Sequence, residues 1–282
     1  MTPAINRALD QAAQWLRDAE ALFIGAGAGF GVDSGLPDFR GREGFWAAYP
    51  PFAGLGLAFE ELANPRLFRT DPPLAWGFYG HRLNVYRRTA PHPGFALLRS
   101  WINRLPGRGF VYTSNVDGQF QRAGFSPDEI LECHGSIHFV QHVHERHGSI
   151  WSADDLHPAV DEATMRARAP LPERDGALLR PNILMFGDDG WNPDRARRQL
   201  QHYRRWTEEN RRRKIVAIEL GAGTAVPTVR LESERLLHQW GSGLIRINPR
   251  ESDAPPGSVS LPLGALTALQ ALEQRLQSFP AR

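Results

Sequence analysis

Apolar and polar positions alternate along this chain with two different periods. Ile5, Leu9, Ala12 and Leu16 recur at helical spacing with Ala8 and Trp15 beside them, and Thr2-Pro3 supply an N-cap and a first-turn proline. The spacing predicts an amphipathic helix to about Ala19. An unbroken apolar run, Ala21-Leu22-Phe23-Ile24, follows and opens into a glycine-rich turn from Gly25 to Gly35. Further runs at Phe110-Val111-Tyr112, Ile130-Leu131, Ile215-Val216-Ala217-Ile218 and Leu244-Ile245-Arg246-Ile247 read as buried strands. Helical patterns cover Gly94 to Leu105, Pro193 to Arg212 and Leu263 to Phe279. Strands without internal alternation, separated by helices, predict an α/β fold built on a doubly wound parallel sheet.

Two stretches break the rhythm. Residues 42–89 are rich in aromatics and proline, and residues 137–175 in histidine, charge and proline. They are expected to pack together as a small, mainly helical lobe. The main lobe would then be assembled from 1–41, 90–136 and 176–282, with a ligand cleft between the two.

Composition narrows the class without naming a reaction. The 282 residues are 41% hydrophobic and 23% charged, as in ordinary globular proteins. Cys133 is the single cysteine, so neither an internal disulfide nor an all-cysteine metal site can form. There is no 18-residue apolar run and no signal-peptide pattern, which predicts a cytoplasmic protein without a membrane span. The net charge of +2 gives no general argument for nucleic acid. Of 33 basic residues only Lys214 is a lysine, a bias spread over the whole chain.

The candidate chemistry starts at Gly25-Ala26-Gly27-Ala28-Gly29-Phe30-Gly31, where backbone amides after a strand can approach a pyrophosphate. Directly downstream lies Asp33-Ser34-Gly35-Leu36-Pro37-Asp38-Phe39-Arg40. Glycine loop and segment together resemble the sirtuin signature. Five further segments match that family in order: Thr113-Ser114-Asn115-Val116-Asp117, Glu132-Cys133-His134-Gly135-Ser136, Leu179 to Asp188, Gly221 to Pro227, and Ile247-Asn248.

The resemblance implies a Rossmann-like lobe that binds NAD and an NAD-dependent protein-lysine deacylase that releases nicotinamide and O-acyl-ADP-ribose. By position, His134 would be the general base, since imidazole titrates near working pH. Asn115 and Asp117 would complete the catalytic set in the nicotinamide pocket. Gly25, Ala26, Gly27, Asp38, Phe39, Arg40, Ser114, Gly221, Gly223, Thr224 and Asn248 would contact the cofactor. Phe186, Gly187 and Asp188 would border the acyl-lysine tunnel of an acylated protein partner. Cys133 is not expected to act as a nucleophile with His134, because neighbours on a strand point to opposite faces.

The chain departs from the family pattern in four places. Seven residues separate Gly27 from Gly35 where the pattern has five, Ser114 replaces a glutamine, and Asp188 replaces a glutamate. Pro172-Glu173-Arg174-Asp175-Gly176 stands where zinc cysteines are usual, so no metal site is expected and apolar residues such as Val140, Val143 and Trp151 must hold the lobe. His138, His142, His144 and His147 are dense enough to raise an all-histidine site, but no single regular element aligns all four. The arginines from Arg195 to Arg213 read as the solvated face of a helix, which leaves nucleic acid an unlikely partner. The longer loop and Ser114 keep open NAD hydrolysis or ADP-ribosyl transfer in the same pocket, and a non-catalytic NAD or ADP-ribose sensor remains a further alternative.

Overall fold

The computed structural model describes residues 1–37, 45, 49–54, 56–241 and 243–279. Helix α1 (Pro3–Asp18) leads into β1 (Ala21–Ala26) and a 3-10 segment, Ala28–Ser34. Three short helices follow, α2 (Pro50–Gly54), α3 (Phe59–Leu62) and α4 (Leu67–Thr70), then α5 (Pro72–Arg88) and α6 (Pro93–Arg104). Next come β2 (Gly109–Thr113), the one-turn α7 (Gln119–Arg122), β3 (Ile130–Glu132) and β4 (Gly135–His142). Four two-residue strands, β5 (Trp151–Ser152), β6 (Val160–Asp161), β7 (Arg166–Ala167) and β8 (Glu173–Arg174), precede β9 (Ala177–Ile183). The chain ends with α8 (Asp194–Asn210), β10 (Ile215–Leu220), α9 (Thr228–Trp240), β11 (Gly243–Ile247), β12 (Val259–Leu261) and α10 (Ala265–Ser278).

Six strands form one parallel sheet in the order β12-β11-β10-β1-β2-β3. Every residue of β1 and β10 is buried, which explains their unbroken apolar runs. Side-chain alternation divides β1 between two cores. Leu22, Ile24 and Ala26 meet α1, α6 and α10 on one face, and Ala21 and Phe23 meet Tyr203 and Trp206 of α8 on the other. Thr2 caps α1 as the sequence predicts, its hydroxyl accepting from the Ile5 amide at 3.3 Å. No helix among the described residues is long and apolar enough to cross a membrane.

The inserted segments build a third core around Phe52, Phe68, Trp76, Phe78, Tyr79, Ile137, Val140 and Leu179. Here the structure differs from the expected helical lobe. Helix α5 is joined by an antiparallel sheet, β5-β4-β9-β8, so the lobe is mixed. Residues 177–183, assigned to the main lobe from the sequence, pair with β4 in that sheet. The Trp76 indole N–H donates to the Leu179 carbonyl at 2.8 Å and ties helix to sheet. Buried amides do much of the remaining holding. Gln141 Oε1 accepts from Asn182 Nδ2 and from the Asn192 amide, both at 2.9 Å, while Gln141 Nε2 donates to the Gly190 carbonyl at 2.8 Å.

The histidine-rich segment is dispersed by this arrangement. His138 donates from Nε2 to the Asp117 carbonyl at 2.9 Å. His142 reaches Glu145 at 3.0 Å and the Arg174 carbonyl at 3.1 Å, and His144 and His147 are exposed. Among the described residues, no three histidine, cysteine or acidic side chains converge as metal ligands would.

Candidate functional site

The sheet changes winding direction between β1 and β10, and in open α/β sheets ligands bind at the carboxyl ends of the strands flanking such a point. Two glycine loops leave the sheet there and touch. The Gly29 amide donates to the Gly221 carbonyl at 3.0 Å. A Cβ on Gly27 would lie 2.6 Å from Ala222 Cα, and one on Gly221, whose φ is +60°, would run into the backbone of Gly29 and Phe30. Both positions therefore require glycine.

A cavity of about 540 Å³ opens over these loops. Gly27, Gly221 and Gly223 line it, as do Ser114, Asn115, Asp117 and His134. The catalytic candidates are held by the backbone around them. The Thr113 hydroxyl donates to the Ala26 carbonyl at 2.9 Å and accepts from the Asn115 amide at 3.0 Å, and Asn115 Nδ2 donates to the Gly27 carbonyl at 3.0 Å. His134 sits in the turn between β3 and β4, and its carbonyl accepts from the Leu184 amide at 2.9 Å. Its Nε2 lies 3.4 Å from the Thr228 hydroxyl. Burial holds the His134 pKa below the ordinary imidazole value, so the ring is neutral and able to accept a proton at pH 7.

Asp117 is driven the other way. Burial raises its pKa to about 6 from 3.8, against the opposing hydrogen bond from the Gln119 amide at 2.9 Å. Between those two values the folded chain keeps a proton that the unfolded chain releases, so this group's contribution to stability falls as pH rises from about 4 to 6 and stays low above. Asp117→Asn, which keeps the acceptor oxygen, should therefore stabilise the fold at pH 7 by about 2–3 kcal/mol and change little near pH 4. Thermal melts at the two pH values check this; a lower melting temperature at pH 7 would contradict it.

Cys133 and His134 lie in a turn, not on a strand, so the argument from alternating faces does not apply. Their separation has another cause. The Cys133 side chain packs with Tyr112 against the α8 core, and its thiol is pushed up to about 12 by burial, whereas His134 faces the cavity. A thiol so hard to ionise is a poor nucleophile.

The other sequence candidates are placed as follows. Gly25 and Ala26 are buried within β1, and the loop meets the cavity first at Gly27. Asn248 is fully buried beneath the loops, donating to the Ala222 carbonyl at 2.9 Å and accepting from the Arg250 and Glu251 amides at 3.0 Å. Thr224 is exposed, with its amide held by Glu251 at 2.7 Å. Phe186 forms the mouth with Leu184 and Val226, all three well exposed, and its amide donates to the Ala63 carbonyl at 2.9 Å. Asp188 does not reach the cavity; its side chain is completely buried in an ion pair with Arg180 and accepts from the Met185 amide at 3.2 Å and the Gly190 amide at 3.1 Å. Asp38, Phe39 and Arg40 lie outside the described residues.

The sequence reading missed the wall opposite the glycines. Tyr79, Arg82 and Tyr86 project from one face of α5 into the cavity, with Leu36 and Phe59 nearby. Arg82 is 6% exposed, and its Nε and Nη2 donate to the Tyr86 hydroxyl at 3.1 and 2.8 Å. An arginine recurring at helical spacing with two tyrosines was the available signal.

The Sir2 family profile matches residues 27–205. An NAD-dependent protein deacylase from Deinococcus radiodurans is 32% identical over 270 residues, spanning 94% of this chain and 98% of that protein. NAD-dependent protein deacylase 1 of Archaeoglobus fulgidus is 31% identical over 250 residues, spanning 84% and 86% of the two. Among solved structures, a mutant Sir2 homologue in complex with ADP ribose is similar with a TM-score of 0.68 and 25% identity, over 96% of this chain and 99% of that one.

Proposed function

The chain belongs to the Sir2 family and is an NAD-dependent protein deacylase, and from the walls of its cavity we propose that the acyl group it removes ends in a carboxylate. The observation that supports the deacylase chemistry at this site is the convergence of His134, Asn115 and Asp117 on one cavity over the β1 and β10 loops. The cradle fits a dinucleotide: glycine backbone lies at the strand ends, where side chains would close the space. NAD, when bound, supplies an electrophilic ribose carbon with nicotinamide as its leaving group.

The protein's own groups do the rest. His134 takes up a proton on a ring nitrogen that burial keeps vacant at neutral pH. Asn115, fixed to the Gly27 carbonyl, offers its amide at the junction of the two loops. Leu184, Phe186 and Val226 give the acylated peptide an apolar lip, and the remaining cavity shields the reacting centre from water.

The acyl proposal rests on Arg82. Among the described lining residues it is the one arginine or lysine, set between phenols and apolar rings. A guanidinium remains charged there, and a carboxylate-ended acyl chain would meet it with charge-assisted hydrogen bonds. The Tyr79 phenol, pushed up to about 12 by burial, stays protonated and can donate alongside it. A hydrogen bond to a charged group is worth about 1.5–3 kcal/mol. Arg82→Met should accordingly cut kcat/KM on a dicarboxylic-acyl-lysine peptide by roughly 10–150-fold and leave an acetyl-lysine peptide within a few-fold. Equal losses on both peptides would refute the acyl assignment while leaving deacylation intact.

A further inference from the structure

Helix α8 and the turn after it, residues 194–214, hold nine arginines and lysines against three acids, while the rest of the chain holds 24 against 28. The structure shows how this charge is arranged. Arg197-Arg198, Arg204-Arg205 and Arg211-Arg212 repeat every seven residues, and all six are exposed. Seven residues make about two helical turns, or about 10.5 Å of rise, so the first two pairs follow one side of the helix, and the third lies in the turn that ends it. The other side carries Ala196, Gln199, Tyr203, Trp206, Thr207 and Asn210 and is buried against the sheet. Two of the six arginines have exposed acid partners, Arg197 with Asp194 at 3.2 Å and Arg211 with Glu208 at 3.0 Å. Such exposed pairs contribute little and exchange readily. Arg198, Arg204, Arg205 and Arg212 have no acid within ion-pair distance among the described residues.

We propose that this stripe binds the phosphate backbone of double-stranded nucleic acid. A helix carrying two guanidinium pairs on one side, with a third pair at its end, complements a stiff polymer of regular negative charge, and the guanidinium fork matches a phosphate in two-point geometry. A single strand is disfavoured because the aromatics of α8, Tyr203 and Trp206, face inward and offer bases no stacking surface. A lipid surface is disfavoured because none of the large exposed apolar residues, Met1, Val32, Leu184, Phe186, Val226 and Leu231, belongs to this helix. The contact is sequence-independent, since nothing on the stripe is shaped to read base edges.

The test is fluorescence anisotropy of a labelled 20-base-pair duplex of mixed sequence titrated with the full chain at 50–200 mM NaCl. With four free arginines, log K should fall against log salt with a slope of roughly −3 to −4. The variant Arg198→Gln/Arg204→Gln/Arg205→Gln/Arg212→Gln should weaken binding at least tenfold, with peptide deacylation and melting temperature unchanged; if it folds poorly, Arg204→Gln/Arg205→Gln alone should give a smaller loss in the same direction. Undiminished binding by these variants would overturn the proposal. So would competition by poly-L-glutamate as effective as that of unlabelled duplex, which would assign the stripe to an acidic protein, or tighter binding of oligo-dT than of duplex.

Discussion

Replacing His134 with alanine is expected to lower kcat/KM for deacylation by about 10²–10⁴-fold, the usual contribution of a positioned general base. The side chain lines the cavity, and its backbone is fixed by the Leu184 amide rather than by the ring, so removing the imidazole leaves the turn in place. Binding of NAD, followed by calorimetry, should consequently change far less than turnover. The direction of the pKa adds a second readout. Burial places it below the ordinary value of about 6.5, so in the parent enzyme activity should hold as pH falls through 6.5 and decline only below it. A variant retaining parental turnover, or an acid limb centred above pH 6.5, would show that His134 is not the base.

The largest stability loss is expected at Asp188. Its carboxylate and the Arg180 guanidinium are both completely buried, and Arg180 also donates to the Ile183 carbonyl at 2.8 Å. Asp188→Ala strands a buried cation and two backbone amides, which should cost about 3–5 kcal/mol, or roughly 6–20 °C in melting temperature. Joint replacement by apolar residues of similar volume, Arg180→Met/Asp188→Leu, should recover much of that loss, because no charge then lies unpaired in the interior. Urea titration of the three proteins measures both effects. A single variant within 1 kcal/mol of the parent would mean that water or a rearranged loop reaches Arg180.

These cases show what the amino-acid pattern could and could not convey. The parallel sheet was legible because β1, β2, β10 and β11 are buried on both faces and so appear as mostly apolar runs, broken in β10 and β11 only by Glu219 and Arg246, which pair with each other in the interior. Helices α1, α6, α8 and α10 were legible because each buries one stripe and exposes the other. Helix α5 was not: it is buried nearly all round, carries Gly77 and Gly80, and so has little amphipathic contrast. Its invisibility hid Tyr79, Arg82 and Tyr86 with it. Ordered motifs singled out His134, Asn115 and Asp117, and the fold brings all three to the wall of one cavity. They could not place Asp188, which lies in the right segment but turns inward to an arginine eight residues before it in the chain. The arginine face of α8 was foreseen as solvated, but its even spacing and shortage of acid partners emerge only once the helix is built.

The contact between the Gly27 and Gly221 loops has a consequence for how the enzyme must breathe. With backbone pressed against backbone and no side chain between, the two loops move as one jaw anchored to the centre of the sheet. Widening the cavity to release product therefore falls to the opposite jaw, where α5 and the short helix carrying Phe59 rest on a separate aromatic core. Turnover should thus be sensitive to the stiffness of that distant packing, even where no altered residue touches the reacting groups.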